Sequence, residues 1–235
     1  MRVSVLELPA RWMTVAEALA DVDARLGSGP ATDLVLLPEA ALTGYVSPTG
    51  ETDLAAAAET IDGPTAAALA ALAVSHRAHV VGPLIERDGG ACFNSTIGFD
   101  PAGARTLHYR KRHPWAPETW ATPGDRPHQT VEVAGVRIAI ATCYDLHFLA
   151  DEAADVLAAA DLLLFPSAWV ERRSTRVAML RAIAARFDVA VANANWGPGV
   201  VRVAGQGGSC VIDRGGAVRV TAPPGGRADA TLDMP

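Results

Sequence analysis

Short apolar runs closed by turn residues alternate along this chain with longer amphipathic or alanine-rich stretches. Residues 2–8 alternate apolar and polar side chains and predict a strand. Thr14, with Glu17 three residues later, has the spacing of a capping box and predicts a helix ending near Gly27. Residues 33–37 read as a short buried strand that stops at Pro38-Glu39. Gly63-Pro64 opens an alanine-rich helix to about Arg77, and a strand follows over 79–85. Residues 92–100 and 105–110 read as two strands joined by the Pro101-Ala102-Gly103 turn, and 131–133 with 136–141 as a second hairpin around Gly135. The pattern continues with a helix near 149–160, a strand over 161–165, a helix over 175–187 and a strand over 189–192. A hairpin of 208–213 and 217–220, turning at Gly215-Gly216, closes the chain.

Between these elements, residues 111–128 hold four prolines, two tryptophans and a glycine with no usable period. Loops this long in a compact domain are functional or disordered, and the aromatic content favours order. Strand–helix units interleaved with hairpins predict an α/β fold with mixed sheets covered by helices. In such folds chemistry gathers at the carboxyl ends of strands. Glu39, Lys111 and Cys143 each follow a predicted strand.

The chain has 235 residues, enough for one sizeable domain over 1–235. Half the residues are hydrophobic and 20% are charged, the balance of a soluble globular protein. A net charge of −6 argues against nucleic acid as the partner, because phosphate binding wants a basic surface. The only basic groupings are Arg110-Lys111-Arg112 and the pair Arg172-Arg173. No apolar stretch approaches the roughly 20 residues of a membrane span, and the N-terminal residues alternate like a strand, unlike a secretory signal. The three cysteines, Cys92, Cys143 and Cys210, are sparse and widely separated. That usage suggests a reducing, cytoplasmic setting and one working thiol.

Lys111 is the only lysine; the other basic residues among the 20 are arginine. A compact ammonium reaches places a wide guanidinium fork does not, although composition bias alone also leaves such survivors. Cys143 follows an apolar strand and precedes a helix. Backbone N–H groups and the helix end there would lower a thiol pKa and suit a nucleophile; a buried, inert cysteine is the alternative. A partly desolvated Glu39 would serve as base, or else it is a solvated turn residue. Lys111 would face the oxyanion formed on thiolate attack, where one such donor is worth about 3–4 kcal/mol.

Leu37-Pro38-Glu39, Tyr109-Arg110-Lys111-Arg112-His113 and Cys143-Tyr144-Asp145 resemble, in order and spacing, the three signature segments of the nitrilase superfamily, the carbon–nitrogen hydrolases. The resemblance runs to about Asp213 and includes Pro166-Ser167-Ala168-Trp169, Ala192-Asn193 with Gly197, and the Gly208-Ser209 hairpin. It implies a four-layer α-β-β-α sandwich and a thiol hydrolase of small carboxamides, with a thioester acyl-enzyme and no metal or organic cofactor. Cys143 would be the nucleophile and Glu39 the base. Lys111 and the Tyr144 backbone N–H would hold the oxyanion, and Glu118, seven residues after Lys111, would orient Lys111 and the substrate. Two departures stand out. His147-Phe148-Leu149-Ala150 replaces the usual Arg-Phe-Pro-Glu, and Ala184 falls in a helix where the family tends to have Arg-Ala-x-Glu-Asn. The resemblance also implies a homodimer.

Tyr45, Trp115, Trp120, Trp169 and Trp196 are candidates for pocket walls or for ordinary packing, and Tyr144 and His147 flank the nucleophile. His113 reads as a neighbour of the site or as a solvated loop residue, and Asp145 as a cap for the Cys143 turn. His76 and His79 lack a third ligand and read as structural. Cys92 and Cys210 lie in strands and read as inert. With the same three residues the chain would alternatively be a nitrilase or an N-carbamoyl amidohydrolase. From another class, it would be a catalytically silent binding or scaffold subunit.

Overall fold

The computed structural model describes residues 1–171 and 175–234; the Arg172-Arg173 pair lies outside the described residues. One six-stranded sheet contains β1 (Arg2–Leu6), β2 (Leu34–Leu36), β3 (His79–Asp88), β4 (Ala91–Phe99), β5 (Arg105–Arg110) and β12 (Arg227–Thr231), in the order β12-β1-β2-β3-β4-β5. The other contains β6 (Val131–Val133), β7 (Val136–Ile140), β8 (Leu162–Ser167), β9 (Ala190–Asn195), β10 (Cys210–Ile212) and β11 (Val218–Thr221), in the order β11-β10-β9-β8-β7-β6. The central pairs β1–β2, β2–β3, β7–β8 and β8–β9 are parallel, and the flanking pairs antiparallel. The helices are α1 (Val15–Ser28), α2 (Pro64–His76), α3 (Leu146–Glu152), α4 (Ala154–Ala159) and α5 (Thr175–Phe187). None of them is long and apolar enough to cross a membrane.

The period-two alternation of each strand assigns its residues to two different cores. In β2, Leu34 and Leu36 meet the opposite sheet, while Val35 packs beneath α1 and α2. In β7, Ile138 and Ile140 face the opposite sheet, while Ala139 packs with α3, α4 and α5. Both faces of β2 are buried, which is why it is apolar without interruption, whereas β7 is interrupted once, by the exposed Arg137. The result is the expected α-β-β-α sandwich. Full burial of each Leu or Ile side chain contributes about 1.5–3 kcal/mol, so the intersheet core is the main source of cohesion. On β9 the inward positions are Ala190, Ala192 and Ala194.

Three expectations fail. Thr14 makes no side-chain cap bond, because its backbone (φ −117, ψ 53) does not take the extended shape of a cap; α1 is tied down by Arg11 and Arg25, each 2.7 Å from Asp21. The helix expected over 149–160 starts earlier and is broken at Ala153 (φ −130) into α3 and α4. The 208–220 hairpin is not the last element, since β12 follows and pairs antiparallel with β1. In its sequence, Arg227-Ala-Asp-Ala-Thr, the apolar positions carry only alanine, Ala228 and Ala230, which pack on the intersheet core. Polar partners add to the hold: Arg227 reaches Asp229 (2.7 Å) and the Pro30 carbonyl (2.6 Å).

Candidate active site

Three strand ends converge on one rim of the sandwich. Beyond β2, Ala40 adopts a left-handed conformation (φ 48) and the chain turns so that Glu39 is buried. Lys111 directly follows β5 and is held by its own N–H on the Asn94 carbonyl of β4 (2.8 Å). Cys143 opens a single 3-10 turn, Cys143–Asp145, that leads into α3. It too is left-handed (φ 50), a conformation that costs a non-glycine residue about 1–3 kcal/mol and recurs at functional sites.

The side chains meet. Lys111 Nζ donates to Glu39 Oε1 (2.7 Å) and to Glu118 Oε1 (2.5 Å), with none of the three exposed. Asn94 Nδ2 donates to Glu39 Oε1 (2.8 Å) and to Glu118 Oε2 (3.1 Å). The Tyr45 hydroxyl donates to Glu118 Oε1 (2.7 Å), and the Ala168 N–H after β8 donates to Glu39 Oε2 (2.8 Å). The Cys143 thiol sits within the field of Glu39, Lys111 and Glu118. Asp145, fully buried, accepts from the Thr142 N–H (2.9 Å), the His113 N–H (2.8 Å) and the Tyr109 hydroxyl (2.7 Å). It thereby ties the segment after β5 to the Cys143 turn, a supporting role that matches its expected capping.

Burial first, and then Glu39, push the Cys143 thiol well above the ordinary cysteine range, with Lys111 pulling against them. This reverses the lowering expected from a strand-to-helix turn. The turn is desolvated, two carboxylates face it, and α3 has only 7 residues. Burial pulls the Lys111 ammonium down, but Glu39 and Glu118 outweigh it and hold the pKa above the ordinary lysine value. Burial also raises Glu118, with Lys111 opposing. Burial, Glu118 and Glu39 raise Tyr45, which remains a neutral donor. The site therefore holds a thiol kept neutral by burial and an ammonium shared between two acidic side chains. Among the described residues no group of three His, Cys, Asp or Glu could hold a metal.

The carbon–nitrogen hydrolase family model matches residues 3–234. The chain belongs to the carbon–nitrogen hydrolase family. A Xanthomonas campestris member of the superfamily, whose crystal structure carries an arsenic adduct in the active site, superposes with a TM-score of 0.84 at 28% identity, over 99% of this chain and 90% of that one. An amidase from Nesterenkonia superposes with a TM-score of 0.84 at 22% identity, over 97% of this chain and 88% of that chain, a likeness of fold. By sequence, a Pseudomonas protegens protein called "Hydrolase in pqqF 5'region" is 31% identical over 72% of this chain and 59% of its own length. A formamidase of Allorhizobium ampelinum is 37% identical over 49% of this chain and 34% of its own length. The matched stretches thus span less than two thirds of either relative.

In this carbon–nitrogen hydrolase the aromatic residues divide between two sides. Tyr45 stacks on Trp115 (ring centroids 6.5 Å) and meets Trp196 edge-on (5.9 Å), beside the carboxylates. Trp169 shares an apolar cluster with Cys143. Exposed His147 stacks over Trp169 (5.5 Å) and leans on Tyr144 (5.0 Å), so an imidazole seated on an indole occupies the place of the family arginine. Trp120 is half-buried against the Tyr45 cluster. Ala184, on the sheet-facing side of α5, is fully buried in the apolar cluster between that helix and its sheet. The His113 ring points to Glu152 (3.0 Å) and stacks on Phe148 (4.0 Å), so only its backbone serves the site. His76 pairs with Asp23 (2.7 Å). Cys92 and Cys210 do lie in strands, and burial pushes Cys210 up to about 11.

Sequence reasoning missed Asn94 and the Ala168 N–H. For Asn94 a signal existed: Asn94-Ser95-Thr96 interrupts an otherwise apolar strand with three polar residues, all buried. Buried polar side chains need partners.

Proposed function

We propose that this protein hydrolyses the C–N bond of small carboxamides, giving carboxylic acid and ammonia, with Glu39, Lys111, Cys143 and Glu118 as its working residues. The observation that carries the reading is the buried Lys111 ammonium, bound at once by Glu39 and Glu118 with the Cys143 thiol alongside. A thiol held neutral by burial needs its proton removed at the moment of attack, and Glu39 is the carboxylate whose charge acts on it most strongly. Sulfur then forms a bond to the carbonyl carbon as the proton passes to Glu39. The oxyanion meets the third N–H of Lys111 and the Tyr144 backbone N–H. When the tetrahedral adduct collapses, the C–N bond breaks and nitrogen takes the proton from Glu39, leaving as ammonia. Water, deprotonated by the same carboxylate, attacks the thioester; the C–S bond breaks and the proton returns to sulfur.

Glu118 accepts from Lys111 and Tyr45 on Oε1 and from Asn94 on Oε2; it fixes the ammonium and offers the remaining lone pair of Oε2 to the substrate's NH₂ group. Tyr45, Trp115 and Trp169, with Tyr144 and His147 at the rim, form the walls. Cys143 is only 7% exposed among them, which favours short acyl groups, in keeping with the formamidases among the relatives. Ammonia release from matched panels of formamide, acetamide, propionamide, the corresponding nitriles and N-carbamoyl amino acids tests this. Turnover of the short amides, abolished in Cys143→Ala, is the expected result. Turnover of nitriles without amides would replace it with a nitrilase reading, and no turnover of any class would leave a binding protein.

A further inference from the structure

Two buried carboxylates share one ammonium in this site. Like charges this close tend to retain a proton between them, and a protonated Glu39 could not take one from sulfur. The groups that face the pair are Lys111 from the end of β5, Cys143 and Asp145 from the turn after β7, and Tyr45 from the segment after β2. Of these only Lys111 carries positive charge. Tyr45 donates to Glu118 alone and the Ala168 N–H to Glu39 alone.

Asn94 reaches both. Carboxylates only accept, so the amide's NH₂ end faces them, with one N–H at 2.8 Å from Glu39 Oε1 and the other at 3.1 Å from Glu118 Oε2. Its main-chain carbonyl accepts the Lys111 N–H at 2.8 Å. One residue of β4 therefore touches three members of the constellation, and among the described residues no other side chain bridges the two acids except Lys111 itself. We propose that Asn94 is a positioning residue of the reaction, which keeps Glu39 and Glu118 deprotonated together at neutral pH by donating to both while seating Lys111 between them. The inference rests on the reading of Glu39 as the base.

Asn94→Leu keeps the branch at Cγ and removes both donors. The acid limb of kcat/KM, which reports the base of the free enzyme, then moves to higher pH by about one unit or more. The variant is expected to lose roughly tenfold at pH 6 and to return to within about threefold of the parent on the alkaline plateau. Asn94→Ser, which keeps a single donor, falls between. The experiment measures acetamide hydrolysis across pH 5–9 and, in parallel, the rate at which iodoacetamide labels Cys143, located by peptide mapping. The labelling arm needs no turnover, so a parent inactive on every amide would defeat the functional reading while the labelling limb still decides on Asn94. A displaced limb in both arms, or in labelling alone where turnover is absent, supports the proposal. A lowered plateau with an unmoved limb overturns it as merely structural. If Asn94→Leu fails to fold by circular dichroism, an unmoved limb in Asn94→Ser overturns it equally.

Discussion

Lys111 gives two of its three N–H donors to carboxylates, which leaves one for a substrate oxygen. The ammonium stays charged because Glu39 and Glu118 hold its pKa up. It therefore acts as a fixed charge and moves no proton. A guanidinium in the same space keeps the charge but spreads five donors over a rigid fork. With the Lys111 side chain wholly enclosed, the larger group displaces either a carboxylate or the oxyanion position. Lys111→Arg is expected to retain the far-ultraviolet spectrum of the parent and to lose turnover by on the order of 10²-fold or more. Near-parental turnover would show that the sole lysine is an accident of composition. Glu39→Gln keeps the shape but leaves one oxygen where the carboxylate offered Oε1 to Lys111 and Oε2 to the Ala168 N–H, and on the proposed mechanism it removes the base. Its amide turnover is expected to fall by roughly 10²–10⁴-fold, measured at the parent's optimal pH.

At the scale of elements, the last residue of β5 places Lys111, and β5 is held by a second polar cluster on the helix-facing side of its sheet. Glu86 of β3 accepts from the Ser95 hydroxyl (2.5 Å), from His108 Nε2 (2.8 Å) and from the Arg110 guanidinium. Burial raises the Glu86 carboxyl, but His108, Arg110 and Ser95 together bring it from 4.5 down to about 2. Because the folded value lies below the unfolded one, the stabilisation is complete above pH 4.5 and disappears as pH falls towards 2. It amounts to about 3 kcal/mol. Glu86→Gln is expected to flatten the pH dependence of the urea midpoint over that window and to lower stability at pH 7 by about 3 kcal/mol, since Arg110 loses its buried carboxylate and keeps only the exposed Asp88 and Asp125. An unchanged acid slope would place the acid sensitivity elsewhere. Strands such as β2 and β8 were legible because they are apolar runs, and Glu39, Lys111 and Cys143 because each follows a predicted strand. β12 was not legible, since its alternating positions carry only alanine and its anchors, Arg227 and Asp229, are polar. Nor was the Thr14 cap, because spacing says nothing of the backbone torsions a cap requires. Asn94 escaped because its importance lies in two acids brought beside it by residues far away in the chain.

For the molecule as a whole, the decisive feature is that the site is divided between the two sheets. Glu39, Asn94 and Lys111 belong to the sheet of β1–β5, whereas Cys143 and the Ala168 N–H belong to the sheet of β7–β9. Their meeting depends on the distance between the sheets, which the side chains of the intersheet core set. Ala192 lies in that core and is fully buried; Ala184 is equally buried but on α5, in the cluster between that helix and the outer face of the second sheet. Overpacking either position costs about 1–3 kcal/mol, so the two should differ little in stability. They should differ in chemistry. Ala192→Leu pushes the sheets apart and carries Cys143 away from Glu39 and Lys111, where a displacement of about 1 Å costs on the order of 10²-fold in rate. Ala184→Leu pushes a helix outward and leaves the rim intact. Amide turnover, compared at matched folded fractions from thermal melts, is expected to fall more than tenfold in Ala192→Leu. In Ala184→Leu it is expected to stay within about threefold of the parent. Equal losses in both would mean that the loops around Tyr45 and Trp115, and not the spacing of the sheets, determine how the acids meet the thiol.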